Sequence, residues 1–223
     1  NPDGSEAEKS GNGLRILSRH LWSSKLVGDA PFDIQTAGGR VRARVLDQGQ
    51  RVTVDMGRAV FDPTAVPVRV GGARAIDVPL AVGGRDLHIN AVSMGNPHCV
   101  VFLDSIDQAL ACELGPLLET HELFPKRTNV QFAKVLGPAD LAIEIWERGA
   151  GYTLASGTSS CAAACVAHLR GLCGPSVRVH CPGGVITVEI GAEFEVTMTG
   201  AVQRIAAIEV DDECFQDAPE SPP

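Results

Sequence analysis

The chain has 223 residues, 44% hydrophobic, 21% charged and 4% aromatic, with 24 glycines and a formal net charge of −8. That length is enough for one large domain or two modest ones with a sizeable core. The acidic balance, with no cluster of Lys and Arg, argues against nucleic acid as a partner, and no apolar run reaches the roughly 18–20 residues that a membrane-spanning helix needs.

Residues 1–9 read as a turn and a polar approach. The start at Asn1-Pro2, with neither an initiator Met nor a leader, reads as a chain that begins mid-protein. From Gly13 to Leu26, Leu14, Leu17, Leu21 and Trp22 recur at helical spacing. Residues 40–56 alternate around Asp47-Gln48-Gly49-Gln50 and predict a hairpin. Strands are predicted at 74–82, 86–93 and 98–102, a helix at 104–120, and strands at 129–135 and 141–146. An Ala-rich helix, Cys161–Leu172, is stopped by Gly174-Pro175. Four short strands follow, at 176–181, 184–190, 193–198 and 202–210, and the proline-rich, acidic 216–223 reads as a frayed tail. Many short strands with few helices make an α+β class rather than an alternating βαβ order.

Seven cysteines, an odd number with no Cys-x-x-Cys pair, speak against a disulfide framework or a zinc site. Thiols in a reducing cytoplasm are the simpler reading. No metal, pyridoxal or nicotinamide motif is present, and no Gly-Lys-Ser/Thr follows the Gly-rich turns, so no cofactor is expected.

Chemistry concentrates in five polar islands. Ser10-Gly11-Asn12-Gly13 and Ser156-Gly157-Thr158-Ser159 are near-matching phrases that each lead into a helical run. A small hydroxyl before a helix caps its first amides. Glycine permits close approach, and the open amides with the helix dipole attract an anion such as a carboxylate. Plain capping explains the same residues. Trp146-Glu147-Arg148-Gly149 puts a charged pair at a strand end: either an exposed ion pair or a carboxylate and a guanidinium aimed at a ligand. Gly95-Asn96-Pro97-His98 and the turn before Asn129 complete the set; both asparagines can donate amide hydrogen bonds.

Together these islands resemble the diaminopimelate epimerase family of cofactor-independent amino-acid epimerases. The matching segments are 1–15 (NPDGSEAEKSGNGLR), 94–102 (MGNPHCVVF), 124–132 (FPKRTNVQF) and 146–164 (WERGAGYTLASGTSSCAAA), with a weaker match at 52–61. The resemblance implies two similar domains, each a strongly curved, mostly antiparallel sheet wrapped round a central helix, with the site in the cleft between them. Residues 1–56, completed by about 203–215, would be the remainder of the N-terminal domain, and 57–202 the C-terminal one. It implies a diaminopimelate-like substrate, a homodimer, a cytoplasmic location and two-base proton transfer at the α-carbon, in lysine and cell-wall biosynthesis. Asn1, Gly11, Asn12, Asn96, Asn129, Glu147, Arg148, Gly157 and Thr158 would bind substrate, and His98 and Glu147 would tune the acid–base pair.

That pair falls on Ser10 and Ser156, where the family has cysteines. A thiol has a reference pKa near 8.5, which a helix N-terminus lowers further, whereas a hydroxyl needs a partner base before it removes a proton. Tyr152 also departs from the family, which has an acidic residue after Gly-Ala-Gly. Three accounts stay open: a serine pair introduced to trap a complex, a serine-dependent dehydratase or isomerase of a related acid, and a relative that binds without turnover.

Overall fold

A computed structural model describes residues 10–215. Asn1, the approach at 1–9 and the tail at 216–223 lie outside the described residues. The chain begins with helix α1 (Gly11–Ser23), followed by strands β1 (Phe32–Thr36), β2 (Gly39–Leu46) and β3 (Arg51–Arg58). Next come β4 (Val78–Val82), β5 (Arg85–Ser93), β6 (Pro97–Phe102), helix α2 (Gln108–Glu119), β7 (Asn129–Gly137), β8 (Asp140–Glu147) and β9 (Gly151–Thr153). Helix α3 (Gly157–Leu169) precedes β10 (Ser176–Cys181), β11 (Gly184–Ile190) and β12 (Glu195–Ala201).

The α+β class holds: all twelve strands join one mixed sheet, ordered β1-β2-β3-β12-β11-β10-β8-β7-β6-β5-β4, with β9 paired to β8. Pairings are antiparallel except β6 with β7 and β8 with β10. Strand alternation divides the core between two helices. His98, Val100, Gln131, Ala133, Leu141, Ile143 and Ile145 are buried, and their apolar members pack in the cluster that contains α3. Cys99, Val101, Val130 and Phe132 pack instead with Leu114 and Leu118 of α2. β6 and the first half of β7 are therefore buried on both faces. Helix α3 is buried along its whole face from Gly157 to Ala167, as its Ala-rich composition requires of a helix with sheet around it.

Several expectations change in detail. Helix α3 begins four residues before Cys161, because Ser156 is its cap and the small Gly157, Thr158 and Ser159 fit a buried first turn. β4 starts at Val78 rather than 74, after Asp77 takes a left-handed φ of 58°. β12 starts after Phe194, which has a φ of 61°. Residues 202–210 form no strand: apart from Val202 N–H donating to Gln50 O, they have no ladder, and Ile205 and Ile208 are exposed. Alternating apolar residues describe a half-buried strand only where a neighbour accepts the backbone hydrogen bonds. The sequence reading also missed β1 and the three-residue β9.

Candidate active site

The two Ser-Gly phrases are helix caps, and the fold brings them face to face. Ser10 is extended (φ −117°, ψ 112°) and its Oγ accepts from Gly13 N–H at 3.1 Å. Ser156 is extended (φ −142°, ψ 129°) and its Oγ accepts from Ser159 N–H at 3.5 Å. A Cβ added to Gly11 would lie 3.2 Å from the Gly157 Cα, and one added to Gly157 would lie 3.2 Å from the Gly11 Cα. The first turns of α1 and α3 therefore abut, with Met198 of β12 packed against both glycines. Asn12 Nδ2 donates across the junction to Ala155 O at 3.4 Å. Two sets of first-turn amides and two like-signed helix dipoles converge on one place, which favours an anion. Ser10 is exposed there and Ser156 is 5% exposed, so the two hydroxyls differ in access to solvent.

Gly157→Ala tests this junction. The added methyl would meet Met198 Sδ at 2.9 Å and Gly11 Cα at 3.2 Å, so the helix ends must separate by a few tenths of an ångström. The expected result in urea unfolding is a loss of about 1–3 kcal/mol, together with weakened carboxylate binding. Gly28→Ala, where nothing lies within 4 Å, serves as the control.

Sheet topology brings the other islands together. Parallel pairing aligns His98 at the start of β6 with Asn129 at the start of β7. Antiparallel pairing of Val130 with Trp146 puts the end of β8, and Glu147, at the same sheet end. Asn129 joins them: its Nδ2 donates to Pro97 O at 2.9 Å and its Oδ1 accepts from Arg148 N–H at 3.0 Å. Arg148 Nη1 donates to Lys126 O at 3.2 Å. Among the described residues neither Glu147 nor Arg148 has an ion-pair partner, so the reading of the two as an exposed ion pair does not hold. Gln131 Nε2 donates to Ser159 Oγ at 3.1 Å, tying β7 to the first turn of α3 and so linking the two clusters.

His98 is fully buried, and its Nε2 is 2.9 Å from Asn96 Oδ1. Burial pushes its pKa down to about 3, and the Arg148 charge adds to the shift. The imidazole is thus neutral at pH 7. The unfolded chain protonates this residue near its ordinary value of 6.5. The stability it contributes is fully present above about pH 6.5 and falls as pH drops toward 3, by about 1.4 kcal/mol per unit. Urea unfolding at pH 7 and pH 5 should show the chain losing about 2 kcal/mol more than His98→Gln does. Equal losses would place His98 in contact with water.

Three residues that sequence reasoning passed over support the site. Arg15, 9% exposed, donates from Nη2 to Asn12 Oδ1 at 2.8 Å and from Nη1 to Gly11 O at 3.4 Å, one helical turn away. Burial lowers its pKa, which the Cys161 and Cys181 thiols oppose. Glu119, at the end of α2, is 4% exposed; it accepts from Arg127, from Gly149 N–H at 3.0 Å and from Trp146 Nε1 at 2.7 Å. Gln131 is the third. The i+3 and i+4 spacing of Arg15 from Asn12 and Gly11 was available as a signal; nothing local marked Glu119 or Gln131.

The profile of the family described as diaminopimelate epimerase matches residues 1–62 and 90–205. The chain belongs to the diaminopimelate epimerase family. It is 49% identical over 215 residues to diaminopimelate epimerase 2 of Nostoc sp., covering 96% of this chain and 75% of that protein. It is 40% identical over 203 residues to the diaminopimelate epimerase of Desulfitobacterium hafniense, covering 90% and 72%. Among solved structures it is similar to a probable proline racemase from Agrobacterium radiobacter with bound carbonate, at a TM-score of 0.71 and 18% identity over 97% of this chain and 71% of that one. A hydroxyproline epimerase from Agrobacterium vitis gives a TM-score of 0.67 at 17% identity, covering 90% and 65%. At such identities the structures support the shared fold alone. No helix among the described residues is long and apolar enough to cross a membrane, and no group of three or more His, Cys, Asp and Glu among them is placed to hold a metal.

Proposed function

We propose that the chain is a diaminopimelate epimerase-like isomerase, acting on LL- and meso-diaminopimelate without a cofactor by proton transfer at the α-carbon. The observation that carries this reading is the abutment of Gly11 and Gly157, which sets the capping residues Ser10 and Ser156 at the two helix N-termini of one junction. The first-turn amides at Gly11, Asn12, Gly157 and Thr158 receive the α-carboxylate. Asn96 and Asn129, and Asn1 from beyond the described residues, add amide hydrogen bonds. Arg148 holds a carboxylate in bidentate fashion and Glu147 takes an ammonium. Ser10 and Ser156 face opposite sides of the α-carbon: one removes its proton and the other returns a proton to the far face. His98, held neutral, tunes the pair through Asn96 rather than by carrying charge, with Glu147 as the charged modulator. In the same reading residues 1–56 with about 203–215 complete one domain, 57–202 form the other, and the protein works as a cytoplasmic homodimer.

Incubation with LL-diaminopimelate in deuterium oxide tests the activity. Slow appearance of the meso isomer carrying α-deuterium supports it; neither product nor exchange, even after both thiols are restored, sinks it. The two hydroxyls favour a second reading, a protein that binds the ligand without turning it over, for which calorimetry shows binding while no exchange occurs.

A further inference from the structure

His98 and Gln131 lie on the α3 face of adjacent parallel strands, and both are fully buried. His98 Nε2 meets Asn96 Oδ1 at 2.9 Å, and Gln131 Nε2 donates to Ser159 Oγ at 3.1 Å. Two buried atoms in this cluster, His98 Nδ1 and Gln131 Oε1, are left without a hydrogen-bond partner among the described residues. With the proton on Nε2, both orphans are acceptors, and two buried acceptors cannot satisfy one another. One rotation repairs the cluster. Turning the Gln131 carboxamide by 180° lets its NH2 donate to His98 Nδ1 and its oxygen accept the Ser159 hydroxyl proton. Every buried polar atom of the cluster then has a partner.

We propose that Gln131 is a positioning residue that fixes the tautomer of His98 and, through it, the end of Asn96 offered to a ligand. With Nδ1 accepting from Gln131, Nε2 carries the proton and donates to Asn96 Oδ1. The two N–H donors of Asn96, which is half-buried, are left for a carboxylate. The opposite tautomer requires Asn96 to turn its amide toward Nε2 and to offer its carbonyl oxygen, which repels a carboxylate. Only the ligand's identity rests on the reading proposed above; the tautomer does not.

Labelling the six histidines with 15N and recording two-bond 1H–15N correlations on the ligand-free chain at pH 7 reads the tautomer, with His98→Gln assigning the signal. A protonated Nε2 with a bare Nδ1 is expected; a protonated Nδ1 overturns the proposal, whether or not diaminopimelate binds. Gln131→Glu, which puts an acceptor against Nδ1, should move the proton to Nδ1 and weaken diaminopimelate binding roughly ten- to a hundredfold. Gln131→Met removes the partner without imposing the wrong one and should weaken binding less. Unchanged tautomer and affinity in a folded Gln131→Glu protein overturn the proposal. If that variant does not fold, the tautomer of the unmodified chain decides. A chain with the Nε2–H tautomer that binds no diaminopimelate contradicts the proposed function and leaves the role of Gln131 standing.

Discussion

The Ser10→Cys, Ser156→Cys protein should exchange the α-proton of diaminopimelate with solvent deuterium at least about a thousandfold faster than the serine chain. The reason is the acidity of the group that must act as base. A thiol has a pKa near 8.5, while a hydroxyl behaves more like water, at roughly 15.7. The gap is about seven units, and if Brønsted behaviour expresses half of it in the rate, roughly three orders of magnitude remain for one proton transfer. The caps accommodate the change: both residues are extended and both Oγ atoms already face the N3 amide of their helix, where a thiolate gains the same hydrogen bond and the helix dipole. Exchange no faster than in the serine chain would mean that the two positions do not flank the α-carbon.

Glu119→Ala gives the largest expected loss of stability, about 3 kcal/mol in urea unfolding at pH 7. The carboxylate is 4% exposed and serves Arg127, Gly149 N–H and Trp146 Nε1 at once. Removing it leaves the indole and the Gly149 amide without acceptors. Arg127 is half-exposed, so its share is screened and the sum falls at the low end of the range for a broken buried pair. A backbone tie that the substitution keeps, Thr128 N–H donating to Glu119 O at 3.2 Å, runs beside these side-chain bonds. Helix α2 thereby anchors both the 127–129 turn and the 147–149 turn, which carry Asn129, Glu147 and Arg148. Diaminopimelate affinity should fall with stability. Glu119→Gln, which keeps the shape and one oxygen, should lose less of each. A loss below about 1 kcal/mol in Glu119→Ala would show that the turns hold themselves.

Much of this was legible in the sequence. Ser10-Gly11 and Ser156-Gly157 announced two capped helices, and the segments at 98–102 and 129–135 announced strands. Those signals are local, set by capping chemistry and side-chain period. What escaped depends on contacts far apart in sequence. The start of α3 was placed late because its polar first turn is buried against the sheet rather than solvated. The alternating residues at 202–210 read as a strand, yet no neighbour accepts their hydrogen bonds. Glu119 fell within a predicted helix with nothing to single it out, and only the approach of β8 makes it a buried hub. Gln131 lay inside an apolar strand with no sequence signal at all; its importance comes from His98 beside it and Ser159 above it.

Calorimetric titration of the chain with LL-diaminopimelate, set beside lysine, tests most directly whether the paired helix ends and the Glu147–Arg148 turn form one amino-acid site. Saturable one-to-one binding of diaminopimelate, weaker for lysine, which lacks the second carboxylate, and weakened again in Gly157→Ala, is the predicted result. No diaminopimelate binding by the serine chain or by its Ser10→Cys, Ser156→Cys form would contradict the account.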